Sequence, residues 1–322
     1  MNTRNTTGYL PSGPLDPVAE QIAAFFQADP NWAQMTRRPV AETRAWVRAA
    51  TPVLGVPEMQ VEEFRVPAAG AEVPLRFYSP RPRSHAILIW AHGGGFVLGG
   101  LDEIDNFARA LAQESGCAVA SVDYRLAPEH KFPAAVDDMR QATAWVVERR
   151  VELAGDLVPV FVGGDSAGAN LATVVTRQLH ASKACAISGN VLAYPCTDSP
   201  NAASLRRFEA PFLSSREVRF FFDQYLPDAS AHEHPDFAPL RAPHLELLPP
   251  TLIVTAEHDI LTEQAEEYGC KLAQHGVTVR SSRYPGMIHG FLTMDAFFQG
   301  AAGQAIREIS DFIASTAPVS PG

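Results

Sequence analysis

Cysteine is scarce in this chain: four in 322 residues, and none of Cys117, Cys185, Cys196 and Cys270 falls in a C-x-x-C pair. That excludes a disulfide scaffold or a thiol-rich metal knuckle, and leaves buried free thiols as the expected role. Basic residues are also in short supply. Lys and Arg number 26 against 36 Asp and Glu, a formal net charge of −10, and they form no cluster. Nucleic acid and anionic membrane surfaces therefore find no complementary face and are not expected as partners. No apolar run approaches the ~18 residues of a membrane span. Residues 1–14 are polar and rich in glycine and proline, so a cytoplasmic protein without a signal peptide is expected. Internal repeats and low-complexity tracts are missing as well. Against these absences stands an apolar share of 46%, enough for the core of one large domain with an insertion, or of two small ones.

The first fifty or so residues read as helical, with apolar residues at helical spacing over 18–27 and again over 40–50, after Pro39. Strand-like runs follow at 61–66, 73–78, 86–91 and 118–122. Thereafter helices (107–114, 134–149, 167–179, 263–275, 302–315) alternate with strands (158–162, 189–194, 251–255, 278–284). Such alternation predicts an α/β fold, a mostly parallel sheet flanked by helices and opened by an antiparallel hairpin. One segment interrupts it. Between Tyr194 and Thr251 lie an aromatic helical piece, 216–225, and Pro- and His-rich loops. An insertion of that length in a compact domain is usually functional. It reads as half of a lid, completed by the N-terminal helices.

Gly164-Asp165-Ser166-Ala167-Gly168 sits where an apolar strand gives way to a helix. This G-x-S-x-G pattern suggests a serine on a sharp turn, its hydroxyl raised above the sheet edge. The flanking glycines suit a strained backbone with no room for side chains nearby. Alone the pattern is a moderate signal, arising by chance in about one chain in ten of this size. Acyl transfer by serine also needs a base, an acid to orient that base, and donors for the oxyanion. His289, in Pro285-Gly286-Met287-Ile288-His289-Gly290-Phe291, is the candidate base. Asp259, at the end of the preceding strand, is the candidate acid, with Glu257 as its competitor. The order Ser166, Asp259, His289 is that of the α/β-hydrolase layout. Oxyanion donors are expected from the Ala167 N–H, at a helix start, and from His92-Gly93-Gly94-Gly95-Phe96. H-G-G-G is the sharper motif, a chance event in well under about one chain in a hundred.

With Asp123-Tyr124-Arg125-Leu126-Ala127-Pro128-Glu129, Asn170 after the serine pentapeptide, and His289-Gly290-Phe291, these motifs resemble the bacterial hormone-sensitive-lipase family (family IV) of α/β-hydrolase carboxylesterases. The resemblance runs from about residue 72 to 313. It implies an eight-stranded sheet with a helical cap, and hydrolysis of short- to medium-chain acyl esters through an acyl-enzyme, without metal or cofactor. It also implies oxyanion donors at Gly94, Gly95 and Ala167. One departure stands out: the family commonly has Asp-Pro-Leu where this chain has Asp259-Ile260-Leu261, which should loosen the turn but leave the carboxylate in place.

The domain reading that follows is 1–52 for the N-terminal part of the cap, 53–196 for the first part of the core, 197–248 for the cap insertion and 249–322 for the rest of the core. Phe25, Phe212, Phe221 and Tyr225 are the expected pocket aromatics, with Phe26 beside them. Arg125 is expected to pair with Glu129 or with backbone beneath the site, His92 to brace the glycine loop, and Asp165 to bond nearby backbone. The adjacent His232 and His234 are too close in a Pro-rich loop to suggest a metal site. An amidase or deacetylase on the same residues, or a small-molecule receptor on the same scaffold, are the competing readings. The last strand is an expected sheet edge, so a monomer or a homodimer is open.

Overall fold

The computed structural model describes residues 9–52, 57–68 and 70–317. The boundary expected at residue 53 falls outside them. Among the described residues three α-helices come first: α1 (Pro17–Ala28), α2 (Pro30–Ala33) and α3 (Val40–Ala50). α1 starts where the Asp16 carboxylate accepts the N–H groups of Val18 and Ala19, with Pro17 in the first turn, where a missing N–H costs nothing. It stops at Asp29, which is extended and caps α2 in turn.

Among the described residues eight strands then form one sheet: β1 (Gln60–Ala68), β2 (Ala71–Ser79), β3 (Ile87–Ala91), β4 (Ala118–Val122), β5 (Val160–Asp165), β6 (Gly189–Ala193), β7 (Thr251–His258) and β8 (Val279–Ile288). Their order across the sheet is β1-β2-β4-β3-β5-β6-β7-β8. β2 runs antiparallel to both neighbours and every other pair is parallel. The helices between and after the strands are α4 (Asp105–Ser115), α5 (Ala134–Ala154), α6 (Ala167–Ala181), α7 (Ser215–Tyr225), α8 (Thr262–Gln274) and α9 (Gln299–Thr316). Each parallel pair requires a crossover, and the helices supply the cover for both faces.

The pleat divides the core in two. Ile87 and Ile89 of β3 join Met139 and Val146 of α5 and Leu171 and Val175 of α6 on one face. Leu88 and Trp90, one residue out of phase, join Phe107 and Leu111 of α4 and Ile306 and Ile309 of α9 on the other. β3, β4, β5 and β6 are buried along their whole length, which explains their near-continuous apolar sequence. The strand expected over 158–162 instead reaches Asp165, because Asp165 still pairs with Ala193 of β6. Between β6 and β7 the insertion holds α7 and several short 3-10 turns. α7 opens on a capping box of Ser214 and Glu217 and turns Phe221, Phe222 and Tyr225 inward. Among the described residues no helix is long and apolar enough to cross a membrane.

Candidate active site

The parallel strands deliver their C-terminal ends to one edge, and there the candidate residues meet. Between β5 and α6 the chain turns so sharply that Ser166 adopts φ 55° and ψ −116°, a region side-chain-bearing residues avoid. Its N–H donates to the Ala193 carbonyl at 2.8 Å, which holds the turn against β6. A Cβ on Gly164 would lie 2.6 Å from the Ala91 carbonyl oxygen, and one on Gly168 would fall on that same oxygen. The backbone of β3 thus leaves room for glycine alone on either side of the serine.

His289 follows β8, and its Nε2 lies 2.9 Å from the Ser166 Oγ. Its Nδ1 lies 2.7 Å from Oδ2 of Asp259, just past the end of β7. The other carboxylate oxygen, Oδ1, accepts the Leu261 N–H at 2.9 Å. This turn holds without the family's proline: Ile260 is buried, and the Thr262 hydroxyl donates to the Ala256 carbonyl at 2.6 Å. Serine, histidine and aspartate are each more than nine-tenths buried. Glu257 is committed elsewhere. Its carboxylate accepts the N–H and hydroxyl of Ser12 and the N–H groups of Gly13 and Gly286, at 2.8–3.1 Å.

Gly94 (φ 106°) and Gly95 (φ 62°) take conformations that suit glycine, and the Gly94 carbonyl accepts from Val97 and Leu98 to close the loop. A Cβ on Gly95 would fall on the Phe221 ring. Among the described residues the N–H groups of Gly94, Gly95 and Ala167 donate to no protein acceptor, and all three residues border the same cavity as Ser166. Asp165 ties this loop to the serine turn: its Oδ1 accepts the Gly93 N–H at 3.0 Å and the Trp90 indole N–H at 3.2 Å. Burial raises its carboxyl above the usual range, with His92 and the Trp90 bond opposing. His92 braces the loop from below. Its Nδ1 donates to the Gly93 carbonyl at 2.7 Å, and its ring stacks on Tyr124, whose hydroxyl donates to the His92 carbonyl.

One expected pair is absent. Arg125 does not meet Glu129; it binds Asp138, one turn into α5, through its backbone N–H, Nε and Nη2 at 2.7–3.0 Å. The Asp138 side chain is fully buried, so an unpaired charge there would be costly, and Arg125 supplies the counter-charge. Glu129 instead receives both Nη groups of Arg44 from α3, at 2.9 and 2.8 Å. Arg44 also donates to the carbonyls of Val97 and Ala127, joining the N-terminal helices to the glycine loop.

The cavity above the serine encloses about 290 Å³. Phe212 and Phe221 line it, but Phe25 and Tyr225 do not. Phe25 is 59% exposed on the outer side of α1, and Tyr225 is buried with its ring stacked 3.9 Å from that of Phe96. The wall is built from Phe26, Trp32 and Trp46 together with Phe212, whose ring stacks on Trp32 at 5.1 Å and 12°. Sequence reasoning missed the two tryptophans and did not separate Phe26 from Phe25. A signal for Phe26 was present: Ala19, Ala23 and Phe26 are spaced i, i+4, i+7, and the two alanines are the buried residues of α1.

Comparison with known proteins gives a consistent picture. A family described as alpha/beta hydrolase fold matches residues 88–293. The chain is 36% identical over 296 residues to carboxylesterase NlhH of Mycobacterium tuberculosis, covering 89% of this chain and 92% of that one. It is 36% identical over 239 residues to ethyl acetate hydrolase of Pseudomonas putida, covering 72% and 75%. Among solved structures, an esterase of Pyrobaculum calidifontis superimposes with a TM-score of 0.86 at 34% identity, over 94% of this chain and 99% of that one.

Proposed function

Given that the chain belongs to the hormone-sensitive-lipase family of α/β-hydrolase-fold proteins and is an ester hydrolase, we propose that Ser166 is its nucleophile, His289 its general base and Asp259 the acid that orients the base. Ser166 attacks the ester carbonyl while His289 Nε2 takes the hydroxyl proton. Asp259 keeps the other imidazole proton on Nδ1 and stabilises the imidazolium. The N–H groups of Gly94, Gly95 and Ala167 receive the oxyanion, which forms at the start of α6 where the helix dipole favours negative charge. His289 then returns its proton to the departing alcohol and activates the water that hydrolyses the acyl-enzyme. The observation that carries this reading is the unbroken chain from Ser166 Oγ through His289 to Asp259, at 2.9 and 2.7 Å.

The same reading takes α1 to α3 and the insertion around α7 as the two halves of a cap. Their aromatic wall favours short- to medium-chain acyl groups, since Phe212, Phe221 and Trp32 limit the space above the serine. β8 is a sheet edge able to pair with a second copy, so either a monomer or a homodimer is compatible. The four cysteines, all unpaired, suit the reducing cytoplasm.

Ser166→Ala tests the mechanism. Hydrolysis of p-nitrophenyl butyrate and labelling by a fluorophosphonate should both disappear while the circular dichroism spectrum is kept. Near wild-type turnover in the variant would refute it. A p-nitrophenyl ester series from acetate to palmitate measures the depth of the acyl pocket.

A further inference from the structure

We propose that Glu257 is a positioning residue for His289, and that the N-terminal segment from Ser12 to Asp16 acts on the site through it. This rests on the assignment of His289 as the base. β7 and β8 pair in register up to Ala256 and Tyr284, and the register resumes at His258 and Ile288. One residue of β7, Glu257, therefore spans three of β8: Pro285, Gly286 and Met287. His289 sits directly beyond this bulge, so its position depends on how the bulge is held.

The sheet does not hold it, because a bulge interrupts the ladder. Glu257 supplies the missing acceptor: its Oε2 takes the N–H of the buried Gly286 at 2.8 Å. Without that acceptor the Gly286 N–H would be left unpaired away from water. The other oxygen, Oε1, is occupied by three donors from the N-terminal segment, the Ser12 N–H and hydroxyl at 2.9 Å and the Gly13 N–H at 3.1 Å. The segment closes on the bulge from its far side too, where the Asp16 N–H donates to the Gly286 carbonyl at 3.0 Å. The strap thus binds the Gly286 carbonyl directly and reaches its N–H through Glu257, and a Cβ there would come within 2.8 Å of the Asp16 nitrogen. The strap leads directly into α1, which carries Phe26 to the cavity wall. The helix that shapes the pocket and the bulge that aims the base are therefore fixed to a single carboxylate.

Glu257→Gln keeps one acceptor oxygen but turns an amide N–H₂ toward donors, so one side of the strap is lost. In folded protein, kcat for p-nitrophenyl butyrate should fall about tenfold with KM within about twofold, since small misplacement of a catalytic group costs turnover before binding. The rate of fluorophosphonate labelling should fall in parallel. Ser12→Asp, at an exposed position, sets a second carboxylate against Glu257; it should lower kcat by a smaller factor and add nothing in the Glu257→Gln background. Wild-type kcat in folded Glu257→Gln overturns the proposal, as does a lower melting temperature with kcat per labelled site intact, or independent effects in the double variant. If Glu257→Gln does not fold, Ser12→Asp alone decides, and unchanged kcat overturns the proposal. Wild-type protein that resists the fluorophosphonate would instead refute the serine mechanism, which separates the two failures.

Discussion

Replacing Asp259 by asparagine changes one heavy atom of the site and almost nothing of its shape. The two carboxylate oxygens have different partners. Oδ1 accepts the Leu261 N–H at 2.9 Å, and Oδ2 faces His289 Nδ1 at 2.7 Å. An asparagine must keep its oxygen toward Leu261, because an N–H₂ there would point at another donor. Its amide nitrogen then faces His289, and Nδ1 must become an acceptor. The imidazole proton moves to Nε2, 2.9 Å from the Ser166 hydroxyl, where a free lone pair is needed. The base is thereby held in the wrong tautomer with its geometry intact. Comparable substitutions in Ser-His-Asp triads lower kcat by about 10⁴, equivalent to about 5.5 kcal/mol of transition-state stabilisation. Initial rates on p-nitrophenyl butyrate measure this, with circular dichroism melting as the control for folding. A folded Asp259→Asn enzyme that kept a tenth of wild-type kcat would show that Asp259 does not orient the base.

Gly95→Ala places a methyl group where the Phe221 ring lies, so the loop must shift and carry its N–H off the proposed oxyanion position; kcat should drop about 10²–10³-fold, and a wild-type rate would remove Gly95 from that role. Asp138→Asn leaves the Arg125 guanidinium without its buried counter-charge. It should cost about 3 kcal/mol, at the low end for a broken buried pair because Arg125 is partly exposed, read as a lower urea midpoint with KM unchanged. Burial opposes ionisation of Glu257, but the donors from Gly286, Ser12 and Gly13 bring its carboxyl down to about 2 from an ordinary 4.5. A lowered folded-state value means stability present in full above 4.5 and lost as the pH falls toward 2. The contribution is about 2 kcal/mol after allowance for solvent at Ser12 and Gly13. The melting-temperature gap between wild type and Glu257→Gln should therefore be constant above about pH 5 and close below it; a gap independent of pH would contradict this.

The geometry of the candidate site was legible in the sequence because it leaves few substitutes. Close approach to the Ala91 carbonyl admits only glycine at 164 and 168, and the loop after β3 needs glycines at 94 and 95 for their positive φ. These constraints are local, so they surface as short motifs. The strands were legible because burial on both faces produces unbroken apolar runs. What stayed hidden depends on how distant elements meet. The pairing of Arg125 with Asp138 rather than Glu129 follows from where α5 begins beneath the loop, and Glu129 was taken by Arg44 from a helix 85 residues earlier. The choice of Phe26 over Phe25 turns on a single step around α1, about 100° of helix rotation. Tyr225 looked like a pocket residue because its aromatic character is visible in sequence, while its stacking on Phe96 is not.

The conformation of Ser166 carries a consequence for how this protein can change. A side-chain-bearing residue at φ 55° and ψ −116° costs about 1–3 kcal/mol relative to one at ease there, and glycine would relieve it. Position 166 is thus one where the most stable residue and the proposed nucleophile are different. Drift under demand for durability alone would tend to erase the hydroxyl and leave the scaffold intact. The result would be a better-folded relative with the same cavity, able to hold an ester and unable to cleave it.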